Sequence, residues 1–151
     1  MAASAPFVVR LGADRKPWEI VAGADRTGGS VTFGECRMPP HTPGPGRHVH
    51  THEDEAIYVV SGELTVEVGR ERHQVCSGML IWLARGVPHV FANLSDDPVW
   101  ALGIITPGGF ERMFAEQEAY LADLTTPPDH EVLMAISAKY GVTAVEGPPL
   151  L

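Results

Sequence analysis

Cysteine is scarce in this chain of 151 residues: Cys36 and Cys76 are its only two. Two are too few for the disulfide framework of a small secreted domain, and both lie in strand-like stretches where a reduced thiol is expected. Long apolar runs are missing too. None approaches the ~18 residues of a membrane-spanning helix, so no membrane association is expected. Basic charge is thin, with 11 Lys and Arg against 19 Asp and Glu, a net charge of −8. No basic stripe exists to displace counterions from a phosphate backbone, which argues against nucleic-acid binding. The opening segment MAASAPFVVRLG lacks a basic stretch leading into an apolar one. No secretory signal is expected there, and the expected location is cytoplasmic.

What the chain has is punctuation and histidine. Its 16 Gly and 13 Pro suit many short strands joined by tight turns better than a helical bundle. ELTVEVG sets Leu64, Val66 and Val68 against Glu63, Thr65 and Glu67, the alternation of a half-buried strand. Similar runs follow one another from GGSVTFGECRM to VWALGIIT with no helix between them, which predicts an all-β antiparallel sandwich or barrel. After Gly109 the period changes. Phe110, Met113, Phe114, Gln117 and Leu121 recur near helical spacing, and so do Val132, Leu133, Ile136 and Tyr140. One or two C-terminal helices are expected, the second starting at Pro128-Asp129 and stopping at Gly141.

The histidines gather in GRHVHTHEDEAIYVVSG and in LARGVPHVFAN. In a strand, His48 and His50 project to the same side, where a helix would need i, i+4 spacing. Glu55 has the opposite parity, so THED must bend or bulge if the carboxylate is to join them. His89 arrives from a separate turn. Three imidazoles and a carboxylate suit Fe, Ni, Mn, Co or Zn, and ligand type alone does not choose among them.

At these residues the chain resembles the cupin superfamily. The first cupin motif, G-x5-H-x-H-x3,4-E-x6-G, is matched by His48, His50, Glu55 and Gly62, with Thr42 where the opening Gly is expected. The second, G-x5-P-x-G-x2-H-x3-N, is matched by Gly78, Gly86, His89 and Asn93, with Ala84 in place of Pro. Both departures fall on turn positions and leave the four ligand positions intact. The resemblance implies an antiparallel jelly-roll barrel over residues 27–110, an N-terminal arm over 1–26 and a helical extension over 111–151. It also implies a divalent transition metal on His48, His50, Glu55 and His89, and a homodimer in which the arm pairs with a neighbouring subunit.

Within the single-domain cupins the chain is most similar to the quercetin 2,3-dioxygenase-like group, through HVHTHEDEAIYVVSGELTVEVG and TPGGFERMF. That likeness implies an aromatic, flavonol-like enol as substrate and dioxygen as partner. One carboxylate against a divalent ion leaves a net charge near +1, which favours an anionic oxygen donor. Glu55 is the candidate catalytic base, and Tyr58 a weaker one. A pocket is expected from Phe33, Ile57, Val59, Ile81, Phe91 and Trp100, with Leu83, Leu102 and Ile104 as further inward residues. His52 is open between a fifth ligand, a supporting group and a place beyond the rim. His41, His73 and His130 are expected at the surface, Glu53 and Asp54 as solvated loop charges, and Asn93 as a backbone support. Two other functions stay open: a redox-neutral polyketide cyclase using the metal as a Lewis acid, and a small-ligand-binding or sensing cupin without turnover.

Overall fold

The computed structural model describes residues 5–12 and 17–151. In chain order the elements are β1 (Trp18–Ala22), α1 (Ala24–Thr27), β2 (Thr32–Met38), β3 (Thr42–Pro43), β4 (His48–His50), β5 (Asp54–Ser61), β6 (Glu63–Val68) and β7 (Glu71–Cys76). Then follow β8 (Leu80–Leu83), β9 (His89–Asn93), β10 (Val99–Thr106), α2 (Glu111–Ala122), α3 (His130–Lys139) and β11 (Val142–Ala144). All pairings are antiparallel. One sheet runs β1-β2-β10-β5-β8 and the other β11-β4-β9-β6-β7, with β3 beside β9. The two sheets face each other as a jelly-roll barrel with C-terminal helices. No helix among the described residues is long and apolar enough to cross a membrane.

Period-2 alternation decides what faces inward. Along β10, Val99, Ala101, Gly103 and Ile105 are buried while Trp100, Leu102, Ile104 and Thr106 are only half-buried. Val59, Leu64, Val66 and Leu83 meet Val99 and Ala101 in the interior, each of the four 0–1% exposed. Each such side chain contributes about 1.5–3 kcal/mol by leaving water. Thr65 departs from the expected alternation: it is buried, and its hydroxyl donates to Gln74 Oε1 at 2.8 Å. Gly62, at φ +86°, turns β5 into β6, and a Cβ there would stand 2.5 Å from the Pro98 carbonyl oxygen. Only glycine meets both demands.

Both ends of the chain join the sheets. β1, in the N-terminal arm, pairs with β2 of its own chain as the edge of the first sheet. Residues 1–4 and 13–16 of that arm lie outside the described residues. At the other end, a strand that the sequence does not announce, β11, pairs with β4. It brings Val142 into a second apolar cluster with Ile105, Phe110, Met113 and Ile136.

Candidate metal centre

β4 is three residues long and carries two of the four donors. Its pairing sets His48 directly opposite His89 on β9, with ring centroids 4.5 Å apart. His50 closes the strand, its ring stacked parallel to His89 at 5.5 Å. The break expected between His50 and Glu55 takes a larger form than a bulge. Thr51–Glu53 carries the chain from one sheet to the other, so β5 delivers Glu55 from the opposite wall. β4 is held in place by its surroundings. The Gly86 N–H donates to the His50 carbonyl at 2.7 Å, the Thr51 N–H donates to the Gly141 carbonyl at 2.9 Å, and Val142 pairs with His50.

One potential ligand atom from each of His48, His50, Glu55 and His89 lies within 4.8 Å of all the others. Glu55 Oε2 stands 3.5 Å from His50 Nε2 and 3.4 Å from His89 Nε2. Two donors about 2.1 Å from a shared, tetrahedrally coordinated ion are themselves about 3.4 Å apart. Backbone carbonyls orient two of the rings: His48 Nδ1 bonds Gly46 O at 2.7 Å and His89 Nδ1 bonds Val87 O at 3.1 Å. Each contact places the proton on Nδ1 and turns Nε2 inward as a lone-pair donor. His50 Nε2 and His89 Nε2 are buried and have no hydrogen-bond partner among the described residues. Such orphaned atoms are costly unless something fills the space between them. By separation, chemistry and orientation the four residues could hold a divalent metal ion.

The sequence pattern described as "Cupin domain" matches residues 34–105. Residues 34–105 are a cupin domain. A curated relative, the uncharacterized protein SCO3923 of Streptomyces coelicolor, is 40% identical over 45 residues, which is 30% of this chain and 43% of that protein. The match thus spans less than half of that relative's length. Among solved structures, BH2720 of Bacillus halodurans has a TM-score of 0.61 at 18% identity, covering 70% of this chain and 83% of its own. A Thermotoga maritima protein described as a predicted oxalate decarboxylase has a TM-score of 0.57 at 19% identity, covering 60% and 78%. At these identities the two structures share the cupin fold.

Burial governs the electrostatics of the cupin centre. It pushes the His48 imidazole down to about 4, helped by His89, against the Gly46 hydrogen bond. This ring is therefore neutral, as a ligand must be, across the physiological range. Burial acts on Glu55 in the other direction, but the neighbouring imidazoles, His89 foremost, outweigh it and hold the carboxyl below its usual value. Cys36, beside the site, is pushed up to about 11 by burial and then by the Glu55 charge. It stays a thiol.

The interior next to Glu55 is nearly full. A cavity of about 10 Å³, lined by Trp18, Cys36, Glu55, Ile57, Leu64 and Phe91 among others, has room for about one water centre. The indole of Trp18 takes up the rest, lying so close to Gly34 that a Cβ there would stand 2.4 Å from its ring.

The expected pocket residues divide. Ile57 and Phe91 line the cavity, Val59 is fully buried in the core, and Ile81 packs against that core. Phe33 and Trp100, together with Leu102 and Ile104, sit on the outer face, because their parity opposes the inward residues of β2 and β10. Phe33 is 37% exposed, and Trp100 lines an external groove with Arg37 stacked on its ring at 4.6 Å. His52 is exposed and stands outside the cluster, and His41 pairs with Asp96 at the surface. Asn93 is fully buried; its amide reaches the carbonyls of Met38, Pro39 and Asp97.

Three supports of the site escape the sequence reading. Glu53 is not a solvated charge: it is 8% exposed, with Oε2 3.7 Å from His50 Nδ1. Asp54 does reach the surface side, accepting from the backbone and guanidinium of Arg85. Phe110 packs on the His50 ring at 5.0 Å, and β11 flanks β4. The Glu53 signal is position: a residue that crosses between sheets at a barrel mouth is enclosed by both walls. Nothing local to Phe110 or Val142 announces where they dock.

Proposed function

We propose that this cupin is a metal-dependent dioxygenase acting on an aromatic enol of the flavonol kind. The observation that carries the reading is the convergence of three inward-turned imidazoles and one carboxylate, with His50 Nε2 and His89 Nε2 buried and unpartnered. A redox-capable divalent ion bound there supplies positive charge for an anionic oxygen donor and an electron path between enolate and dioxygen. An imidazole ligand adds no charge, so the single ligating carboxylate would leave the ion with its four ligands cationic overall. Glu55 is the carboxylate within the four-residue cluster, and its oxygen is the acceptor to which the enol proton passes. Ile57, Leu64 and Phe91 form an apolar wall that keeps water from the reacting ring. A bicyclic ring enters only when Trp18 leaves the space it fills.

The size of that space supports a second reading, a cupin that binds a small ligand without turnover. Metal analysis of the purified protein, followed by oxygen uptake with 3-hydroxyflavone, separates the two. Oxygen consumption dependent on a redox-active metal is the expected result, and Glu55→Ala abolishes it even where metal is retained. Zinc content with anaerobic product formation from a polyketide substrate would replace the dioxygenase by a cyclase. Tight binding without turnover would establish the second reading.

A further inference from the structure

Three buried polar atoms without partners among the described residues belong to two residues on one side of the centre: His50 Nδ1, His50 Nε2 and Glu53 Oε2. His50 is 2% exposed and Glu53 8%, and an unmet buried polar group costs about 1–3 kcal/mol. His48 and His89 show how such a ring is satisfied, each through a carbonyl two residues upstream that takes Nδ1. No carbonyl among the described residues serves His50. The group facing its Nδ1 is the Glu53 carboxylate, 3.7 Å away, while Nε2 faces Glu55 at 3.5 Å. Arg85 Nη2 donates to Asp54 Oδ2 at 2.7 Å, and Glu53 Oε2 has no hydrogen-bond partner among the described residues.

We infer that Glu53 is a positioning residue of the metal centre: its carboxylate accepts the Nδ1–H of His50, aims Nε2 at the ion and strengthens that nitrogen as a donor. The remaining gap is about 0.8 Å beyond an ordinary N–H···O bond. The terminal torsion of a glutamate is soft enough to close it. A carboxylate in this place does for His50 what the Gly46 and Val87 carbonyls do for its partners, and it adds negative charge that a carbonyl cannot. The inference rests on the four-residue centre proposed above, and it predicts a tautomer that can be read without any metal.

The test uses the full chain, labelled with ¹⁵N at histidine. In the metal-free protein His50 should be protonated at Nδ1, and Glu53→Ala should mix its tautomers while His48 and His89 keep theirs. In the Co(II)-loaded protein three shifted, exchangeable imidazole protons are expected. Glu53→Ala should move or lose the one from His50 alone, with Co(II) affinity, measured by chelator competition, falling about 10- to 100-fold. Glu53→Gln keeps an acceptor without the charge and should lie between the two. An Nε2-protonated His50 in the metal-free wild type would overturn the inference. So would an affinity for Glu53→Ala within twofold of wild type, or the three protons moving together. Failure of the wild type to take up Co(II) would sink the metal-centre reading, and the metal-free tautomer would still decide the role of Glu53.

Discussion

The two apolar clusters of this molecule are built differently, and the contrast explains how a short strand can carry two metal ligands. The interior cluster draws Ile57, Val59, Leu64, Val66, Leu83 and Val99 from strands that alternate inward and outward, and its members touch one another across the sheets. The second cluster joins Ile105 at the end of β10 to Phe110, Met113 of α2, Ile136 of α3 and Val142 of β11. The first makes the barrel and, with it, the positions of Glu55 and His89. The second backs the His50 ring through Phe110 and holds β4 through β11, which covers an edge that a three-residue strand could not defend alone. Stability and ligand placement are therefore partly separate properties here.

The sharpest break of that comparison is a pair of truncations. Phe110→Ala should cost about 3–5 kcal/mol and Leu64→Ala about 2–5 kcal/mol in denaturant unfolding of the metal-free protein. Only Phe110→Ala should also weaken metal binding, by about tenfold, because only that ring packs on a ligand. Equal metal affinities in the two variants would show that the C-terminal layer does nothing for the centre beyond adding stability. A smaller effect is expected at Trp18, which fills the space beside Glu55. Trp18→Ala should tighten 3-hydroxyflavone binding several-fold with metal content unchanged, read by titration calorimetry. Unchanged affinity would mean that the ring does not enter by that route, and would favour the small-ligand reading.

How much of this was legible beforehand follows the same division. The interior cluster is visible in the sequence where alternation, as in ELTVEVG, gives a local signal of period two. Its parity on β10 and β2 is not, since a one-residue choice of face sends Phe33 and Trp100 outward, and only the sheet partners settle that choice. The four donors stood out as residue types at motif spacing. What joins them did not, because Glu55 reaches the site by a change of sheet and β4 depends on a strand from the far end of the chain. Helical spacing in FERMFAEQEAYLADL foretold α2, but a helix period carries no information about docking. The burial of Glu53 is not legible in the sequence, because an acidic run in a polar segment is usually solvated and its enclosure here is tertiary.

The smallest expected effect sharpens the contrast through pH. The interior cluster has no group that titrates in the acid range, whereas the second cluster backs a centre whose His48 is depressed to about 4. Between that value and the ordinary histidine value of about 6.5, the unfolded chain holds a proton on His48 that the folded one refuses. The unfolded state thus binds more protons, and stability rises with pH across this window. Glu55, also held below its ordinary value, acts in the same direction at the acid end, where its native interactions are lost as it protonates. The metal-free protein should therefore lose melting temperature steadily from pH 6.5 down to pH 4, and bound metal should steepen the loss as protons compete for the imidazoles. His48→Gln should flatten the metal-free profile in that window while Leu64→Ala lowers it in parallel. A His48→Gln profile as steep as wild type would place the acid sensitivity outside the ligand cluster and dissolve the electrostatic half of the comparison.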